Sequence, residues 1–533
     1  MRKLLMTIIA LTISVNAWMQ TIKPIERTIG KLHVSVDPRM ELLSTVQLLS
    51  NYKMINRYSP YSMEIQAYFK SYSSQRAVVL TDELLKNDDF SFDAPVAFML
   101  YLSQVPELKQ QIQFSDYLLK RAGNKENLDN YRTSLEQFAK ESNFEKFWAN
   151  KNEFYNKVVD LTISDLADKD LIKVIEDYFN ESQNSYSIII SPSFRGGYGP
   201  RLPAPNNKYD IYSCNTTTDI KDGVPYLSKE NLIYYVWHEF GHSFVNPQTE
   251  KNSDKVAVYD KLFAPIRDDM AKLNYSGLNT CVNELVIRAI NVRLQELYIS
   301  PAASRILLKK EIANSFIYIE PVINKLKEFE KQRDSKHITF SEFYPQLFNV
   351  LDSLQKSDNS KLTEFSGPIS AAIAKQKLAW IYPTCDKDTA SLKMVQDYVS
   401  KFFNRLKLDG SILISDSVAL HTQLSGYGIM AYGAIESNLF LKHYKSSFPF
   451  KIENSVIYAD NEYNDVNTMF ISCLPNPQNP QKGMVIYTAV SNKYIQNIFN
   501  VLYGGEDYIV FLNRNKIISR GYYDKIDSWK YIK

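Results

Sequence analysis

Between Ser228 and Pro247 the chain reads SKENLIYYVWHEFGHSFVNP, and the His-Glu-Phe-Gly-His within it constrains the fold more than any other stretch. Two imidazoles four residues apart lie one above the other on a helix face, so His238 and His242 can grip a single cation from the same side. Glu239 is turned about 100° from His238, which lets it border a metal without binding it. The helix stands on independent signals: Ser228 suits the N-cap, Glu230 the first turn, and Asn246-Pro247 the end of the run. Ile233, Val236, Trp237, Phe240 and Phe244 share the opposite face, so one side packs and the other is available for chemistry. Gly241 costs about 1 kcal/mol relative to Ala inside a helix, and the missing side chain leaves room for another segment. With 6 His in 533 residues, a chance His-Glu-x-x-His is expected only about 0.003 times. The competing reading is a pair of capping or core histidines on an ordinary helix. Motif, helix context and orientation together favour the layout of a zinc hydrolase.

A chain of this length with 45% apolar and 23% charged residues supports two or three cores and excludes disorder as its theme. Its net charge of +3 carries no Lys/Arg stripe, so no nucleic acid partner is expected. The 36 Tyr and 28 Phe are spread along the whole chain, which leaves an aromatic sugar platform without support. At the N-terminus, Arg2 and Lys3 precede an apolar run from Leu4 to Val15 and a small-residue exit at Val15-Asn16-Ala17. Residues 1–17 read as a signal peptide cleaved after Ala17, giving a secreted or periplasmic protein with no membrane span after its removal. The alternative, an uncleaved anchor, meets a run shorter than the roughly 20 apolar residues that span a bilayer. Cys214, Cys281, Cys385 and Cys473 are free to pair in an oxidising compartment, but nothing fixes a pairing and buried thiols are the other reading. No C-x-x-C spacing supports a cysteine zinc site.

Taken in order, Ile25 to Val36 reads as a strand or hairpin and Asp37 to Asn51 as a helix capped by Asp37 with Pro38 at its first position. Helical runs at Gln75 to Leu85, Ala94 to Leu102, Leu128 to Ala139 and Leu171 to Phe179 make residues 18–184 a mainly helical region. The period then switches: Ser185 to Ser191 reads as a strand, Pro192 to Pro200 as a glycine- and proline-rich loop, and Tyr209 to Asn215 as a half-buried strand. That last strand is read either as an edge to which an extended peptide adds or as an ordinary strand. Helices are expected at Asp254 to Leu273, Asn279 to Ile299, Ile306 to Lys331 and Ser341 to Lys356, closing a catalytic region over 185–365. Residues 366–533 alternate short strands and helices, the rhythm of an α/β domain with partly parallel order. This domain has no phosphate-binding glycine loop and no G-x-S-x-G elbow, and Asp416 and His421 read as loop polar groups rather than parts of a triad.

Catalytic zinc takes three protein ligands and keeps the fourth position for water, so two histidines leave the site short. His33, His337, His421 and His443 are remote in sequence, which points to a carboxylate from a later helix. Glu284 is the choice, because Asn283-Glu284 opens a firm helix and Arg288, one turn on, can hold the carboxylate. The alternative for Glu284 is a surface pair with Arg288 of small energetic value, with Asp260, Asp268 and Asp269 in reserve as ligands. Asn283 is a candidate neighbour of the site, and Tyr235 either lines the cleft or packs in the core. Oxyanion donors are sought among Arg288, Tyr259, Tyr275 and Tyr298.

His238-Glu239-Phe240-Gly241-His242 followed by Asn283-Glu284 resembles the gluzincin branch of zinc metallopeptidases over roughly Ser185 to Ser300, with 41 residues between the two motifs. The whole chain resembles secreted proteins of Bacteroidota known chiefly by a domain of unknown function. The resemblance implies an α+β architecture with a zincin-like core between the helical N-terminal part and the C-terminal α/β domain. It further implies Zn2+ held by His238, His242 and Glu284, Glu239 as catalytic base, and a peptide or protein substrate. The expected function is therefore a secreted zinc metallopeptidase. The rival is a non-catalytic periplasmic or surface binding protein with a vestigial metal site, and an α/β hydrolase centred on the C-terminal domain would instead be insensitive to chelation.

Overall fold

Strands β1 (Ile25–Ile29) and β2 (Leu32–Val36) form the expected antiparallel hairpin in the computed structural model, closed by Gly30 in the left-handed region at φ 57°. The structure describes residues 21–532 except 165, 167–169, 276, 360–361, 363, 375–376, 407, 501–504, 514–515 and 525–528. The proposed signal peptide therefore lies outside the described residues. Asp37 has extended backbone and its carboxylate accepts from Arg39 N at 2.8 Å, with Pro38 opening the helix Pro38–Leu49, so that cap is the one expected. The other anticipated runs fall in helices Arg76–Asp88, Asp93–Leu100, Lys125–Glu141 and Leu171–Phe179, which make the N-terminal part helical.

β3 (Ser185–Ile190), β4 (Gly197–Tyr198), β5 (Arg201–Ala204) and β6 (Lys208–Asn215) join the hairpin in one sheet of order β1-β2-β3-β6, with β4 and β5 both on the far side of β6. β2, β3 and β6 run parallel, and β1, β4 and β5 run antiparallel to their neighbours. The Tyr209 to Asn215 stretch is thus an interior strand with both sides paired, and no peptide can add to it. The loop after β3 doubles back as strands too short for an alternation of side chains to reveal. A two-stranded hairpin, β7 (Asp219–Lys221) and β8 (Val224–Tyr226), leads into the long helix Lys229–Lys251. The apolar side of that helix docks as its sequence dictates, with Phe240 against Tyr186 of β3 at 5.6 Å and Phe244 stacked on Phe179 at 4.3 Å.

The helix does not stop at Asn246-Pro247. Pro247 lies inside it, and its last turn is held by Thr249, whose buried hydroxyl meets that of Tyr344 at 2.5 Å, and by Gln248 on Ser341. Tertiary contacts here outweigh the proline's missing donor. The chain divides into two compact units, Met1–Phe244 and Val245–Lys533, with the boundary inside this helix.

In the second unit the expected helix over Asp254 to Leu273 is broken into Ser253–Ala257, Asp260–Phe263 and Arg267–Lys272 around a 3-10 turn at Pro265. Leu278–Tyr298 is one unbroken, mostly buried helix, within a residue of expectation. The run expected from Ile306 to Lys331 is split into Pro301–Ala313 and Ile319–Lys336, because Ser315 adopts φ 71° between them.

β9 (Leu378–Tyr382), β10 (Ile412–Ser415) and β11 (Gly428–Tyr432) open the C-terminal part, and β12 (Lys451–Glu453), β13 (Val456–Tyr458) and β14 (Glu462–Tyr463) form a separate three-stranded sheet. β15 (Met469–Asn476), β16 (Asn479–Ala489), β17 (Tyr508–Asn513) and β18 (Lys516–Gly521) complete a seven-stranded sheet of order β10-β9-β11-β16-β15-β17-β18, and β19 (Tyr523–Asp524) pairs β20 (Lys530–Tyr531). The first four strands of the large sheet are parallel and the rest antiparallel. Sequence reading missed β9, whose LAWIY is apolar on both faces and has no alternation to betray it. The architecture is mixed α+β with a C-terminal sheet domain, as expected. Among the described residues no helix is long and apolar enough to cross a membrane.

Candidate metal centre

The long helix presents its two imidazoles one turn apart, with ring centroids 5.1 Å from each other and planes nearly perpendicular. His238 is 5% exposed and His242 is half-buried. Tyr234 stacks on the His238 ring at 5.3 Å with planes 16° apart, a contact that restricts the imidazole's orientation. Sequence reading singled out Tyr235 instead. The i, i+4 spacing of Tyr234 to His238 was the signal available for the right neighbour. Tyr235 turns toward β4, where a Cβ on Gly197 would lie 3.5 Å from its ring, and burial together with the Glu239 charge raises its phenol above the ordinary range.

Glu239 rests against the turn that follows β4. A Cβ built on Gly199 would stand 2.5 Å from Glu239 Oε2 and 3.4 Å from its Cβ, so any residue but glycine there displaces the carboxylate. The glycine-rich loop that sequence reading treated as a connector is therefore a wall against the motif glutamate. Cys214 of β6 is fully buried, and burial first, then the Asp37 charge, pushes its thiol far above the usual range, so it stays protonated.

In the second unit, Glu284 sits in the first turns of Leu278–Tyr298 and is 4% exposed. Arg288 Nε donates to Glu284 Oε2 at 3.1 Å, its Nη1 to Glu311 Oε2 at 2.6 Å and its Nη2 to the Tyr275 hydroxyl at 3.1 Å, while the guanidinium lies 4.5 Å over the Phe316 ring. Glu284 is buried and Arg288 is mostly so, with side-chain exposures of 6% and 11%, which overturns the reading of the pair as a weak surface contact. Burial lifts the Glu311 carboxyl above its usual range against the opposing pull of Arg288. Tyr275 is pushed up to about 12, first by burial and then by the Glu284 charge.

The reserve ligands lie elsewhere: Asp260 is exposed and paired with Arg267, and Asp268 and Asp269 are exposed. Among the oxyanion candidates, the Tyr259 hydroxyl donates to Asp352 at 2.7 Å, and Tyr298 ends the Leu278–Tyr298 helix roughly 21 Å along its axis from Glu284. Arg288 is engaged by two carboxylates. Asn283 is 9% exposed and its Oδ1 is buried without a hydrogen-bond partner.

One ligand atom each from His238, His242 and Glu284 lies within 4.8 Å of the others, and among the described residues this is the one group of His, Cys, Asp or Glu placed to hold a metal ion. Two ring nitrogens and a carboxylate oxygen are the donor types zinc takes at about 2.0–2.2 Å in hydrolytic sites, so the residues present fit that ion. No curated protein and no solved structure matches the chain. Residues 32–350, which hold the candidate centre, match the family model described as "Domain of unknown function (DUF4932)", and the chain belongs to that family.

Proposed function

We propose that the chain is a zinc-dependent peptidase that hydrolyses peptide bonds of a peptide or protein substrate, with export directed by the signal-like residues 1–17. The observation that carries the reading is the convergence of His238, His242 and Glu284, with Glu239 next to His238 in sequence and seated on Gly199. His238, His242 and Glu284 would hold the ion. Zinc, when bound, supplies Lewis acidity that brings the ionisation of a water molecule down toward pH 7. Glu239 takes the proton of the attacking water and delivers it to the leaving amine, as a carboxylate does when held at hydrogen-bond reach of both. Gly199 fixes where that carboxylate stands, and Arg288 fixes the carboxylate of Glu284.

Glu239→Gln separates binding from chemistry. The expected result is one zinc per chain by elemental analysis and a fall in peptide hydrolysis of about 10²–10⁴-fold. Full activity in that variant removes Glu239 as the base. Zinc retained by the parent chain with no turnover on a broad peptide library, with and without chelator, instead supports a non-catalytic binding protein.

A further inference from the structure

We infer that the helix Pro301–Ala313 couples the C-terminal sheet domain to the third metal ligand, with Glu311 as a positioning residue that acts on Glu284 through Arg288. The inference rests on the zinc reading above and gives the C-terminal sheet domain a role.

The helix is started by Ser300, whose hydroxyl accepts from Ala303 N at 3.0 Å, and by Pro301 at its first position. Its side chains divide between two faces. Ser304 and Glu311, seven residues apart and so on one stripe, address the helix that carries Glu284: Ser304 Oγ donates to Val292 O at 3.0 Å, and Glu311 accepts from Arg288 at 2.6 Å. Arg305 and Lys309, four residues apart, address the C-terminal sheet domain. Arg305 pairs with Asp524 of β19 at 3.5 Å, and Lys309 pairs with Asp507, the residue before β17.

The Lys309–Asp507 pair is almost completely buried, with Asp507 also accepting from Tyr523 N at 2.9 Å and from Cys473 Sγ at 3.7 Å. Gly367 makes room for it, since a Cβ there would stand 1.9 Å from Asp507 Oδ1. Buried charges of this kind hold their geometry because losing one partner strands the other. Lys309 and Glu311 are two residues apart on a rigid turn, so the anchor on one face fixes the height of the carboxylate on the other. Glu311 in turn shares the Arg288 charge. Without it, Glu284 would be the one carboxylate of the pair left to the guanidinium, which would then compete with a cation for it.

The test measures zinc affinity of the full-length apoprotein by competition with a chromophoric chelator, alongside the visible spectrum of the cobalt(II)-substituted protein and apoprotein melting. In E311Q zinc affinity is expected to fall about 10- to 100-fold and the cobalt spectrum to shift, with E311D recovering most of both. A purely structural role would lower the melting temperature and leave the cobalt spectrum in place. Zinc affinity of E311Q within twofold of the parent overturns the role of Glu311. D507N is expected to weaken zinc in the same direction, and the uncharged pair K309Q/D507N to bring it back toward the parent. Should D507N alone fail to fold, a folded K309Q/D507N with parent-like melting but at least tenfold weaker zinc overturns the coupling. So does a folded D507N of parent affinity. If Glu284→Ala itself binds zinc like the parent, the zinc reading has failed and not the coupling.

Discussion

Glu284 and Arg288 illustrate how a single residue's role turns on burial. On a surface the pair would contribute little, yet here the carboxylate is 4% exposed and the arginine bridges two acids. Arg288→Lys keeps the charge but loses the planar fork, and a lysine ammonium cannot serve Glu284, Glu311 and Tyr275 at once. The expected outcome is about tenfold weaker zinc binding in the competition assay, with the chain still folded by circular dichroism. Another buried acid, Glu41, belongs to the first unit. Tyr61 donates to one of its oxygens, and burial pushes its carboxyl up to about 7 from the ordinary 4.5. Because the folded value is the higher one, Glu41 stabilises the fold fully below about pH 4.5, and that contribution is lost as the pH rises through about 7. The loss approaches about 3 kcal/mol, so urea denaturation at pH 5 and pH 8 is expected to show a stability drop in the parent that is largely absent in Glu41→Gln.

Elements differed in how far they could be read from their own residues. Pro38–Leu49 and Leu278–Tyr298 were legible because caps, proline position and a 3.6-residue period all act within one segment. β4 and β5 were not, since strands of two and four residues are too short to show a period, and they exist only because β6 lies beside them. Pro247 was misleading for the same reason, its local penalty being outweighed by contacts of Thr249 and Gln248 with residues about ninety positions on. The turn after β4 carries a test at this scale. Gly199→Ala places a methyl group where the Glu239 carboxylate now stands. A displacement of that size is expected to lower kcat about 100-fold while zinc affinity stays within twofold of the parent. Equal losses of zinc and activity would mean that the turn supports the fold and not the base.

The molecule as a whole is held without cross-links. Cys214, Cys281 and Cys473 are buried, Cys385 is exposed, and all four are free thiols. Native alkylation without reductant is expected to label Cys385 first, and all four after denaturation without reductant. Labelling of fewer than four in the denatured chain would reveal a disulfide. Zinc held as proposed would link the site to global stability, because an ion bound only by the folded state adds RT ln(1 + [Zn]/Kd) to it. Adding zinc to the apoprotein is expected to raise the melting temperature of the parent and to leave Glu284→Ala close to its metal-free value.

The sequence by itself determined the helix, the two imidazoles one turn apart and the acid beside them, since helical geometry converts spacing into direction with no help from the rest of the chain. It also placed the helical N-terminal part and the alternating C-terminal part, both of which follow from local periodicity. Only the tertiary structure decided that Gly199 seats Glu239 and that Glu311 and Asp507 stand behind Arg288 and Lys309. Each of these is a contact between residues far apart in the chain, set by which surfaces pack together, and no segment carries that information alone.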